Sequence, residues 1–208
     1  MASTGPGFVG KFSSPMKLDS GYTIKEMSAK EFFPLFGKVY DSLFGEDHTF
    51  FPDGYYSIEE KQKLTLLKQR MGQLYELRLG LFSPAEEFVG FSFGYQESEE
   101  TFYMAASGVL PAHRGHGLYS QMVKYLIQKT TEEGFQKIYG THCATNNAVL
   151  IPKLKLGFVF SKVELSDMFG TILHLQYFTN PLRRKMRDYR SGLKVPDQEI
   201  RSVTKLKE

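Results

Sequence analysis

Val109-Leu110-Pro111-Ala112-His113-Arg114-Gly115-His116-Gly117-Leu118-Tyr119 joins two segments of different period. Before it, residues 100–110 (ETFYMAASGVL) read as a strand. After it, residues 116–133 read as a helix, with Leu118, Met122, Tyr125, Leu126 and Lys129 in register. Gly115 and Gly117 remove side chains where the backbone turns and a ligand must come close. The amides of this turn and of the first helical turn then have no partner inside the helix. With the helix dipole they make an anion site, to which Arg114 adds a cation. A pyrophosphate suits such a cradle. A dinucleotide turn would need Gly-x-Gly-x-x-Gly, and Gly117 is followed by Leu118, Tyr119 and Ser120 instead. The Gly-Lys-Ser/Thr of a nucleotide-triphosphate loop is also missing.

Outward from this turn, the chain alternates strands and helices. Upstream, residues 21–26 read as a strand. Residues 29–44 read as a helix through Phe32, Phe33, Phe36, Val39, Tyr40 and Phe44. Residues 45–56 read as an aromatic-rich loop, and Ser57 caps a helix running to about Met71. Runs at 74–82, 87–96 and 100–110 read as an antiparallel meander. Downstream come a strand at 136–143, a short helix at 147–156, and strands at 158–165 and 170–178. This order predicts one α/β domain: a mixed, mostly antiparallel sheet with helices on both faces. Residues 1–20 read as a flexible leader and 179–208 as a basic extension, helical to about Tyr189 and then loose.

Composition narrows the function. The 208 residues carry a formal charge of +3, which is too small for a dedicated nucleic-acid binder. Cys143 is the single cysteine, so neither an intramolecular disulfide nor a multi-cysteine zinc site can form. No HxH or HExxH arrangement occurs, and no metal is expected. No apolar run is long enough to span a bilayer, and the sequence reads as cytoplasmic. Eighteen Phe and twelve Tyr against no Trp predict a core and a pocket lined by Phe and Tyr rings.

The cradle run resembles motif A of the GNAT acyltransferases, Arg/Gln-x-x-Gly-x-Gly/Ala. Arg114 and Gly117 match its first two fixed positions, and Tyr119 stands where the family prefers Gly or Ala. Asn146 and Gly157-Phe158 resemble the family's later motif, an Asn followed eleven residues on by Gly-Phe. The likeness covers roughly residues 21–178 and is specific across 103–158. It implies a sheet whose central strands splay apart to admit acetyl-CoA or another acyl-CoA. The cofactor-binding set it implies is Val109, Leu110, Arg114, Gly115, His116, Gly117, Leu118, Tyr119 and Asn146. Asn146 also reads as a helix cap, and both roles can hold together.

Such a protein passes an acyl group to an amine. That chemistry needs a neutral amine, a stabilised oxyanion and a proton for the departing thiolate. The family's usual acid is a Tyr four residues before Gly-Phe, where this chain has Lys153. Lys153 is thus a candidate acid, or a surface lysine facing phosphate. His142, near the end of its strand, is the preferred candidate base. Tyr119 and Tyr139 are candidate acids, and Cys143 reads as a buried, inert thiol. Glu46-Asp47-His48 is a candidate contact for a cationic acceptor. The acceptor is a small-molecule or peptide amine, without membrane or nucleic acid, and a homodimer stays open. A non-catalytic acyl-CoA sensor on the same fold is the main alternative. A basic regulator acting through residues 183–190 is a third.

Overall fold

The computed structural model describes residues 14–44, 58, 62, 72 and 74–204. The loop expected at 45–56, with Glu46-Asp47-His48, lies outside the described residues, as does nearly all of the helix expected after Ser57.

Eight strands form one open sheet: β1 (Met16–Lys17), β2 (Thr23–Glu26), β3 (Glu76–Phe82), β4 (Phe88–Gln96), β5 (Thr101–Val109), β6 (Lys137–Cys143), β7 (Val159–Ser166) and β8 (Gly170–Phe178). They are ordered β1-β2-β3-β4-β5-β6-β8-β7, and every described pair is antiparallel except β5 with β6. Among the described residues five α-helices accompany them: α1 (Ala29–Phe44), α2 (Leu118–Glu132), α3 (Asn147–Lys155), α4 (Pro181–Arg190) and α5 (Gln198–Val203). The mixed, mostly antiparallel sheet is as expected.

Two apolar clusters hold the helices on the sheet. Met122, Tyr125 and Leu126 of α2 are fully buried with Phe102, Met104 and Ile138 of β5 and β6. On the other side Phe32 of α1 is buried against Phe91 of β4, their rings 5.9 Å apart. Phe36 stacks on Phe32 and meets Phe91 edge-on at 4.7 Å. The helix expected over 29–44 is therefore present, with Phe32 and Val39 buried on its sheet face while Phe33 and Phe44 stay exposed.

The sheet forks at its single parallel pair. β5 and β6 are in register only from Thr101–Tyr103 to Lys137–Tyr139. Just beyond, β5 bulges: Phe93 pairs with Ala106 but Gly94 with Met104, leaving Ala105 unmatched. An extra residue bends its strand and ends regular pairing, and β5 leaves β6. Glu100 fastens the closed end of the fork. Its carboxylate takes Lys137 Nζ at 2.6 Å and both terminal nitrogens of Arg183 at 2.7 and 2.9 Å. Its carbonyl accepts the amides of Gln136 and Lys137.

That contact changes the reading of both chain ends. The basic run at 183–190 is helical, as expected to about Tyr189, and this helix is docked on the domain. Arg184 donates to the Gly157 carbonyl and pairs with buried Asp188, and Arg187 donates to the Phe160 carbonyl. Lys185 pairs with Asp197 and Glu199 at the start of α5, an element absent from the sequence reading. Four of the five basic groups that suggested an acidic partner are therefore engaged within the chain. At the other end Met16 and Lys17 pair with Ile24 and Thr23, so order begins before residue 21. A two-residue strand carries no alternation that a sequence could display.

The Arg183 guanidinium, then the Lys137 ammonium, hold the Glu100 carboxyl at about 2, below its ordinary value of about 4.3. A depressed carboxylate stabilises the fold above its unfolded value and loses that contribution as pH falls through the folded one. Glu100→Gln is therefore expected to melt below the wild type at pH 7. The difference should close between about pH 4 and pH 2, as measured by thermal denaturation across pH.

Candidate active site

The turn between β5 and α2 has the geometry of an anion cradle. Gly115 and Gly117 have φ of 86° and 69°, in the left-handed region. A Cβ on either would meet nothing within 4 Å, so the backbone conformation, not crowding within the protein, calls for glycine. Gly117 is the N-cap residue and offers no side chain to the helix. The first bond of α2 runs from Gln121 N to Gly117 O at 3.1 Å, leaving the amides of Leu118, Tyr119 and Ser120 without a helical partner. Arg114 Nε donates to the Val109 carbonyl at 2.9 Å, which holds the guanidinium at the end of β5. His113 is tied through Nδ1 to the Tyr22 hydroxyl at 3.0 Å, and exposed His116 lies 3.4 Å from the His113 carbonyl.

Backbone direction in β5 picks out one further donor. Leu110 N donates to Val89 O of β4, so Leu110 faces away from the fork. Adjacent strand residues direct their polar groups to opposite edges. The Val109 amide, like its carbonyl, therefore points into the fork. Past Tyr103 that edge of β5 has no strand partner among the described residues.

The fork opens into a cavity of about 360 Å³. Tyr103, Met104 and Ser107 of β5, Thr141, His142 and Cys143 of β6, and Asn146, Val149 and Lys153 at α3 line it. Tyr40 and Phe44 of α1, Tyr119 of α2 and Phe169 of the β7–β8 turn complete its walls. The structure thus brings together Tyr119, His142, Asn146 and Lys153. Asn146 sits at the N-cap of α3, yet its side chain makes no capping bond and it lines the cavity instead.

Lys153 departs furthest from a surface lysine. It is 0% exposed, its Nζ has no hydrogen-bond partner, and it lies 4.9 Å from the centre of the Phe158 ring. Burial pushes its pKa down to about 7, so neutral and charged forms coexist near neutrality. Gly140 of β6 makes room for it: a Cβ there would lie 2.8 Å from Lys153 Nζ and 3.4 Å from His142 Nε2. Both unpartnered nitrogens therefore approach one point on the fork wall. The signal was present in the sequence, since Lys153 is spaced three residues from each of the buried Leu150 and Leu156.

His142 is half-buried. Burial, with the charge of Lys153 and then that of His174, pushes its pKa down to about 3. The imidazole is neutral at any ordinary pH and has little affinity for a proton. Burial raises the Tyr119 hydroxyl well above its usual value. Tyr139 donates to Glu97 on the α1 side of the sheet. Cys143 is half-buried, not sealed in the core, and its Sγ lies 3.8 Å from the Phe169 carbonyl. Strand alternation places it on the opposite face of β6 from His142. Among the described residues no group of His, Cys, Asp and Glu could hold a metal ion, and no helix is long and apolar enough to cross a membrane.

A sheet forked at its parallel pair, with an anion cradle beside the fork, defines an acetyltransferase fold. Residues 38–158 match the acetyltransferase (GNAT) family, and the chain belongs to that family. A GNAT family acetyltransferase from Elizabethkingia anophelis with acetyl-CoA bound is 18% identical, with a TM-score of 0.55 over 77% of this chain and 99% of that one. An N-acetyltransferase from Staphylococcus aureus is 18% identical, with a TM-score of 0.55 over 76% and 99%. A spermidine N-acetyltransferase from Vibrio cholerae, in complex with CoA and spermine, is 13% identical, with a TM-score of 0.53 over 77% and 96%. No curated protein matches the sequence.

The cradle geometry yields a test. Gly117→Glu puts a carboxylate among the free amides and a side chain on a left-handed residue, at about 1–2 kcal/mol of strain. Acetyl-CoA affinity is expected to fall by about a hundredfold or more, measured by calorimetry, while the fold survives by circular dichroism.

Proposed function

We propose that the protein is an N-acyltransferase that moves the acyl group of acetyl-CoA, or of a related acyl-CoA, directly onto a primary amine. The observation that carries this reading is convergence. The free amides at α2, the Val109 amide and the Lys153 ammonium surround one continuous fork. A pyrophosphate suits the amides of Leu118, Tyr119 and Ser120 with Arg114 beside them. The pantetheine arm then runs between β5 and β6, where the unpaired edge of β5 supplies backbone partners and Asn146 a side-chain one.

In the transfer, the amine nitrogen bonds to the thioester carbonyl carbon and the carbon–sulfur bond breaks. The Val109 amide points where charge develops on the carbonyl oxygen. The thiolate takes one proton, and the new amide sheds one. Lys153 in its ammonium form is the proton donor this site offers, being an acid poised near neutral pH with no partner to hold its proton. His142, expected from sequence to act as base, is too weakly basic for that role, and its Nε2 lies unpartnered on the fork wall. Tyr119, with its hydroxyl pushed up by burial, shapes the cavity near the acyl group.

Thermal shift and turnover test the reading together. Acetyl-CoA at a hundred times its Kd should stabilise the fold by about 2.7 kcal/mol, and binding without turnover of any amine would mean a sensor. Lys153→Met is expected to lower kcat by roughly two to four orders of magnitude while leaving acetyl-CoA affinity nearly intact. The acid is competent below its pKa and loses its proton above it. The advantage of wild type over Lys153→Met should therefore shrink as pH rises through about 7, in kcat–pH profiles. His142→Ala should lower kcat by less than about tenfold.

A further inference from the structure

Taking the acyltransferase reading as given, we infer that the acceptor is a monoamine on an aromatic or apolar body, and not a polyamine or a basic peptide. The charge inventory of the cavity is the first ground. Its described walls contain no aspartate and no glutamate, and their one cationic side chain is Lys153. A second ammonium on the acceptor would enter a site that already holds a cation and, among its described walls, offers no counter-charge. Burying an unpaired charge is costly even in a partly open site.

Three carboxylates on the surrounding sheet are already engaged by other side chains. On the side shared with α1, Glu76 is paired with Arg78, and Glu97 accepts the Tyr139 hydroxyl. Glu164 is held by Lys162 at 2.6 Å and by His174 Nε2 at 2.9 Å. Each already has its partner.

The second ground is the shape of the wall. Tyr40 and Phe44 stand one helical turn apart on α1 with ring centres 4.9 Å apart, and Tyr40 is braced on Phe36 at 5.0 Å. Phe36 rests on the buried Phe91, so this part of the wall is anchored in the core. Tyr103 faces it from β5 and Phe169 from the β7–β8 turn. Four rings around one opening bury an aromatic or aliphatic body and give edge and face contacts to a ring.

The same walls also serve the reaction. The attacking nitrogen must be neutral, and no competent base stands by it. An apolar, carboxylate-free wall with a cation nearby disfavours the ammonium form. A monoamine can shed its only charge on entry, whereas a polyamine would still carry another.

The test is steady-state kinetics of the full chain with acetyl-CoA and phenethylamine, tryptamine, spermidine or a lysine-containing peptide, beside calorimetry of acetyl-CoA binding. The expected result is a kcat/KM at least about tenfold higher for the arylalkyl monoamines, the scale on which apolar pockets discriminate. Phe169→Asp, at a position 44% exposed and so tolerant of a polar side chain, should shift the ratio toward spermidine. Equal or better use of spermidine or the peptide by the wild type overturns the inference and leaves the acyltransferase reading standing. Acetyl-CoA binding with no monoamine turned over also overturns the inference, and if no amine at all is turned over the acyltransferase reading falls with it. An unchanged ratio in Phe169→Asp overturns the assignment of the wall. Failure to bind acetyl-CoA overturns the reading of the site itself, and the inference with it.

Discussion

Everything that could bind here depends on two strands that pair for three residues and then part. Thr101–Tyr103 and Lys137–Tyr139 form the closed end, the unmatched Ala105 turns β5 aside, and the Glu100 carboxylate fastens the corner to β6 and α4. A sheet normally has no interior opening, because a gap would strand backbone groups without partners. This sheet tolerates one since β5 keeps its ladder to β4 apart from Ala105, while past Tyr103 its other edge has no strand partner among the described residues. The polar groups that a β-sheet would otherwise consume are left open along that edge.

Electrostatics inside the fork has a consistent direction. The cradle offers free N–H groups, Arg114 is cationic, and Lys153 is an ammonium without a counter-ion, in a cavity with no carboxylate among its described walls. Negative charge is favoured from the cradle amides and Arg114 to the wall at Lys153. A buried lysine without a partner is a standing cost to the fold. Its position opposite Gly140, where even a methyl group would crowd its nitrogen, shows that packing admits the amine and supplies no partner to satisfy it.

The cradle was legible in the sequence because glycine is nearly unavoidable where φ turns positive, and two such residues between a strand and a helix leave few structures open. The Phe pattern of α1 was legible for the same kind of reason: helical spacing of large rings admits one buried face. Roles that depend on a neighbour were not. The chemistry of Lys153 depends on Gly140 and Phe158, which surround it from other elements, and the basicity of His142 is set by its burial and then by Lys153. The docking of the basic helix α4 was not legible because its partners, Glu100 and the Gly157 and Phe160 carbonyls, are far away in sequence. Charge runs disclose composition; only the fold shows where each charge is used.

The clamp at Glu100 also has a history in the life of each molecule. Its partner Arg183 lies 83 residues further along. A chain emerging from the ribosome therefore builds its cradle and both arms of the fork well before the corner can be locked. During that interval the arms are joined by their three-residue parallel pairing, Lys137, the Glu100 carbonyl and the Tyr103–Thr141 hydroxyl contact, and the sheet edges are open to wrong partners. Misassembly at this corner would thus be decided during synthesis, by the delay between two parts of one ion pair.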